Sequence, residues 1–247
     1  MRTSFLLLFL FFGLHLYGQN INENRLDKYL RKKANKMGLI GMQASFFTDT
    51  YIWQGNYGIK EYKTDDPVEA NTLFMIASCS KPVTALAILK LQEAGKISLD
   101  DPVNEHLPFH VANPNFPDKL ITIRMLLTHT SSIRDNWEIL NPLYTLPEGG
   151  DSSLPLPNFL SGYLLEGGEL YNREENFWKD KPESLFRYCN VGYALLGLII
   201  EEVTGVTFKE FLDKEIFVPL GMNQSYWFLA DIPHRNIARP HKMSNKH

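Results

Sequence analysis

Between Val83 and Glu93 the chain leaves almost no polar face: Val83, Leu86, Ile88, Leu89 and Leu91 are interleaved with Ala85 and Ala87, and Gly95 supplies a stop. A helix of that pattern is expected to be buried nearly all round, so the fold must supply elements to surround it. A second apolar stretch, Val191 to Val203, ends near Gly205 and makes the same demand. Thr207 and Glu210 form a capping-box pattern for a third helix, Phe208 to Phe217, stopped at Pro219-Leu220-Gly221. The stretch "ITIRMLLTHTSSI" opens with a short helix that Thr122 can cap.

Earlier in the chain, residues 24–37 put Leu26, Leu30 and Met37 on one helical face, with Gly38 as the stop. Met42 to Thr48 and Tyr51 to Tyr57 then read as two strands of a hairpin around Asp49-Thr50. This order predicts an α+β fold, a sheet layer plus a mostly helical domain. A lone hairpin is marginal in water. After Trp227 the sequence turns polar without a further strand or helix pattern, so the sheet is expected to be incomplete in this chain. Residues 134–185 are rich in Pro, Gly, Asp and Asn and read as a long loop with one helix near Asn158 to Leu165, expected to line a cleft. The expected division is 1–18, 19–65 for the start of the α/β layer, 66–227 for the helical region and 228–247 for a polar end.

Arg2 precedes an apolar run, Phe5 to Phe12, that is too short for the roughly 20 residues of a membrane span. Residues 1–18 are therefore read as an export signal cut near Gly18–Gln19, which predicts a periplasmic or extracellular protein without stable membrane insertion. The net charge of −3 comes with no basic stripe beyond Arg31-Lys32-Lys33, read as a solvated helix face, so nucleic acid is not an expected partner. Two cysteines, Cys79 and Cys189, cannot make a disulfide framework. One bridge between them is one reading, and two small buried residues is the preferred one.

Ser78 and Lys81 stand three residues apart at the mouth of the first apolar helix. Side chains at that spacing share a helix face, about 5–6 Å apart between Cβ atoms. The apolar surroundings and the positive helix end disfavour an ammonium at Lys81 and favour an alkoxide on Ser78, which suits proton transfer from serine to lysine. The alternative is that Ser78 merely caps the helix while Lys81 extends to water. Tyr188 and Asn190 precede the second apolar helix, and in an extended segment they project to one side. A phenol there can relay protons and a carboxamide can hold a substrate amide. Alternatively, Tyr188 is a half-buried aromatic and Asn190 an N-cap. His129 is read as a hydrogen-bonded packing residue, in preference to a triad member with Ser78 or a metal ligand with the cysteines.

Taken in order, "TLFMIASCSKPVTALAILKLQEAGKISLDDPV", "ITIRMLLTHTSS", "FRYCNVGYALLGLIIEEVTG" and "IFVPLGMNQSYW" resemble the serine β-lactamase and penicillin-binding-protein family, in its class C-like branch. The resemblance implies the β-lactamase/transpeptidase-like fold and an exported serine hydrolase of β-lactamase, DD-peptidase or esterase type. It implies Ser78 as acylated nucleophile, Lys81 as proton acceptor, Tyr188 as proton relay and Asn190 as substrate-amide contact, acting on a small molecule or peptide. No metal or organic cofactor is implied. Ser132 stands where the family pattern has glycine, and Glu183 where a Pro-Gly pair is usual. The family's third motif, Lys-Thr-Gly or His-x-Gly on a late strand, is not found before His247, which leads to the expectation of a truncated chain. The rival expectations are a non-catalytic remnant that binds peptide or glycan, and a hydrolase held at the membrane by a retained N-terminus.

Overall fold

The computed structural model describes residues 22–144, 150–233 and 236–241; the expected export signal, 1–18, lies outside them. The described residues form two compact units, 22–75 with 236–241, and 76–233.

In the first unit, α1 (Glu23–Lys36) begins where the Asn22 side chain accepts the Arg25 N–H at 3.0 Å, and it carries Lys33 and Lys36 in its last turn, where cations suit the helix dipole. Strands β1 (Gly41–Thr48) and β2 (Tyr51–Gly58) pair antiparallel from Gly41 opposite Gly58 to Thr48 opposite Tyr51. The period of two sends Trp53 and Tyr57 inward. Gly55 lies between them because an added methyl would sit 2.5 Å from the Tyr57 hydroxyl and 2.7 Å from the Trp53 ring. On the other face Phe47 and Ile52, directly opposite, are 77% and 71% exposed.

The expectation of no strand after Trp227 is corrected. Strand β3 (Leu73–Phe74) pairs in parallel with β4 (Ile237–Ala238). A two-residue strand has no periodicity to read. This one is placed by contacts from afar: Leu73 N–H donates to the Asn236 carbonyl at 2.8 Å, while the Asn236 side chain accepts from Lys60 Nζ at 3.0 Å and Thr72 Oγ1 at 3.1 Å.

The second unit is helical: α2 (Lys81–Glu93), α3 (Ile123–Leu127), α4 (Trp137–Tyr144), α5 (Leu156–Leu164), α6 (Arg173–Asn176), α7 (Asn190–Thr204) and α8 (Phe208–Leu212), which runs on as a π-helical turn, Asp213–Phe217. The most apolar of them, α7, is central and packs against α2, α3, α5 and α8, burying Leu195, Leu196, Leu198, Ile199 and Ile200. It ends at Gly205, whose φ of 71° is left-handed. The Thr122 cap and the Thr207/Glu210 capping box both form. Among the described residues no single helix is long and apolar enough to cross a membrane.

Two expectations change here. Helix α2 is not buried all round: Thr84, Ala87, Ile88 and Leu91 make one buried stripe, while Leu86 and Leu89 stay 40% and 47% exposed. The other concerns residues 134–185, where the helix expected near Asn158 to Leu165 forms as α5 but the rest is not one long loop. They hold α4, α5 and α6 and bury Leu140, Leu160, Tyr163 and Phe177 in the core. Pro142 inside α4 and the four-residue length of α6 hide these helices from a periodicity reading.

Candidate active site

The chain enters α2 through a 3₁₀ turn, Ala77–Ser80, so Ser78 and Lys81 remain one turn apart. Ala77, directly before the serine, has φ of 45°, a left-handed conformation that costs a non-glycine residue about 1–2 kcal/mol. Ser78 Oγ lies 2.6 Å from the Tyr188 hydroxyl and 3.3 Å from Lys81 Nζ. Lys81 Nζ in turn donates to Asn190 Oδ1 at 2.6 Å and sits 4.9 Å and 5.5 Å from the ring centres of Tyr188 and Tyr193. All four candidate side chains therefore meet. Ser78 makes no capping bond, and Lys81 turns inward to partners instead of outward to water.

Cys189, with extended φ and ψ of −144° and 120°, occupies the N-cap position of α7, and its sulfur accepts the Gly192 N–H at 3.3 Å. Asn190 is thus the first residue of the helix, not its cap, and its side chain is left for the site. Tyr188 is held from behind by His129, ring centres 4.5 Å apart, and His129 also faces Tyr193 and the edge of Phe186. His129 Nδ1 accepts the Cys189 N–H at 3.1 Å, which puts the proton of the neutral ring on Nε2. Burial first, and the Lys81 charge second, hold His129 below its ordinary pKa of 6.5. The histidine is a packing and orienting group, as its sequence context indicates.

Both cysteines are free thiols, so no bridge joins them. Cys79 is exposed, which corrects the reading of two buried residues; its place in the outward-facing turn with Ser78 is the reason. Burial pushes the Cys189 thiol far above the usual range, with Asp135 adding to the effect, and a thiol so protonated is a poor nucleophile.

One site residue escapes the sequence reading. Buried Asp135 accepts from the Asn190 N–H at 2.9 Å, Asn190 Nδ2 at 2.7 Å, the Val191 N–H at 3.1 Å and the Cys189 thiol at 3.4 Å. It supplies the carboxylate that the start of α7 lacks locally. No spacing links it to Asn190, 55 residues away; the one available signal is that Cys189 is a weak cap for so long a helix.

The two departures from the family pattern have a conformational answer. Ser132 and Glu183 adopt φ of 62° and 75°, the left-handed region where glycine sits without strain. Ser132 is further fixed by Asn113 Nδ2, which donates to its hydroxyl at 2.8 Å.

Comparison with known proteins bears on the family and the fold. A family model described as Beta-lactamase matches residues 26–247. Penicillin-binding protein 4* of Bacillus subtilis (strain 168) is 34% identical over 178 residues, covering 70% of this chain and 35% of the relative. The octameric penicillin-binding protein homologue from Pyrococcus abyssi superposes with a TM-score of 0.72 at 31% identity, covering 88% of this chain and 47% of that one. A D-amino acid amidase from Ochrobactrum anthropi SV3, solved with L-phenylalanine amide, gives a TM-score of 0.63 at 25% identity over 81% of this chain and 52% of its own. The chain thus spans about a third to a half of the length of these relatives, and its fold is of the β-lactamase/transpeptidase kind.

Proposed function

The chain belongs to the beta-lactamase family, and from that premise we propose that it is a serine hydrolase working by acyl transfer through an ester on Ser78. The carrying observation is the placement of Ser78 Oγ between the Tyr188 hydroxyl at 2.6 Å and Lys81 Nζ at 3.3 Å, within or near the reach a general base needs. In the proposed reaction an uncharged Lys81 takes the Ser78 proton as Oγ bonds to the substrate carbonyl carbon. The C–N or C–O bond to the leaving group then breaks, Tyr188 gives that group a proton, and Lys81 returns one to Tyr188. Water hydrolyses the Ser78 ester by the reverse proton path. Asn190 keeps one N–H and one oxygen lone pair beyond its internal bonds, enough to contact a substrate amide.

The substrate class is an amide, ester or β-lactam of a small molecule or peptide. The penicillin-binding relative and the amidase solved with an amino acid amide favour acyl groups of that kind. Because the chain spans only part of its relatives, their activities enter here as part of the proposal. Export, suggested by the apolar opening run, belongs to it too. A penicillin, an amino acid amide and an activated aryl ester offered separately provide the test. Turnover of at least one, lost in Ser78→Ala, is expected; equal turnover by Ser78→Ala would contradict the assignment, and turnover of none would favour a non-catalytic binder.

A further inference from the structure

We propose that Asp135 is a positioning residue that fixes the Asn190 amide with its oxygen toward Lys81. The proposal uses the acyl-transfer reading for its rate prediction only.

Asn190 could present either end of its carboxamide to Lys81, and electron counting alone does not choose. Asp135 chooses. Its carboxylate accepts Asn190 Nδ2 at 2.7 Å, so Oδ1 is left to receive Lys81 Nζ at 2.6 Å. The flipped amide would set its oxygen against the carboxylate, a repulsion in place of a charge-assisted bond. Asp135 is itself pinned from both sides along the chain: Tyr163 Oη donates to the Arg134 carbonyl at 2.7 Å and accepts the Asn136 N–H at 2.7 Å. Asn136 Nδ2 bonds Asn176 Oδ1 at 3.2 Å, and Asn176 Nδ2 bonds the carbonyls of Tyr163 at 2.9 Å and Leu170 at 2.8 Å. A buried, fully partnered platform thus supports one carboxylate, which orients one amide, which meets the lysine beside the serine. The groups facing Lys81 are Ser78, Tyr188, Tyr193 and Asn190, with His129 behind Tyr188, so Asp135 reaches the lysine through the Asn190 amide.

The test is the isosteric Asp135→Asn variant of the full chain. Two quantities are read: the Asn190 Nδ2 proton resonances by NMR and the rate at which a fluorophosphonate labels Ser78. In the wild type the N–H that bonds the carboxylate should lie well downfield of the ordinary carboxamide range, and Asp135→Asn should return it toward that range. The labelling rate should fall about tenfold as the amide loses its fixed orientation. A purely structural Asp135 would lower stability and leave the Asn190 resonances in place, and that result would overturn the proposal. If wild-type Ser78 is not labelled at all, the acyl-transfer reading fails while the Asn190 resonances still decide the role of Asp135. Should Asp135→Asn not fold, the wild-type resonances decide: two Nδ2 protons both at ordinary carboxamide positions would overturn the proposal.

Discussion

At the scale of single residues, the account turns on two short contacts. Tyr188→Phe removes the hydroxyl that lies 2.6 Å from Ser78 but keeps the ring against His129. Acylation of Ser78 is expected to slow about 100-fold with little change in melting temperature, measured by labelling kinetics and calorimetry side by side. An equal loss of stability and rate would mean that Tyr188 is only a packing residue. Glu183 offers a separate check on backbone strain. Its φ of 75° is left-handed, and Glu183→Gly should raise the unfolding free energy by about 0.5 kcal/mol, relief of strain exceeding the added entropy of the unfolded chain. Ser132→Gly should gain less, because Ser132 also receives the Asn113 bond.

Elements show why parts of the molecule are legible in the sequence and others are not. Helices α1, α2, α7 and α8 and the β1–β2 hairpin announce themselves through local periodicity and caps. The Ser78 and Lys81 pair is legible for the same reason, since a fixed helical turn separates them. Asp135, β4 and α6 are not, because each is defined by a partner far along the chain or is too short to carry a period. Exposure is the least legible property: the apolar pattern of α2 does not tell that Leu86 and Leu89 lie outside its buried stripe. The capping box of α8 is both legible and testable. Thr207→Ala removes the acceptor for the Glu210 N–H and should cost about 1 kcal/mol, read as a lower denaturant midpoint at unchanged slope. No change in the midpoint would mean that the π-helical continuation, not the cap, holds this end.

For the whole molecule, stability should depend on pH through His129. The folded protein holds this imidazole below 6.5, so on acidification the unfolded chain binds a proton before the folded one does. The stabilisation is complete above about 6.5 and is lost as pH falls from there toward the folded value. His129→Asn, which tolerates the left-handed φ of 58°, should flatten that part of the curve; an unchanged slope would place the titration elsewhere. The same molecule spans about a third to a half of its relatives' length, yet its second unit brings Ser78, Lys81, Tyr188 and Asn190 together. The central claim is that these four side chains form one acylation site. Peptide mapping by mass spectrometry after treatment with a fluorophosphonate tests it most directly. The account predicts a single stoichiometric adduct on Ser78, absent in Ser78→Ala and slowed about 100-fold or more in Lys81→Ala. An adduct on another residue, or labelling of Ser78 that Lys81→Ala leaves at full speed, would contradict it.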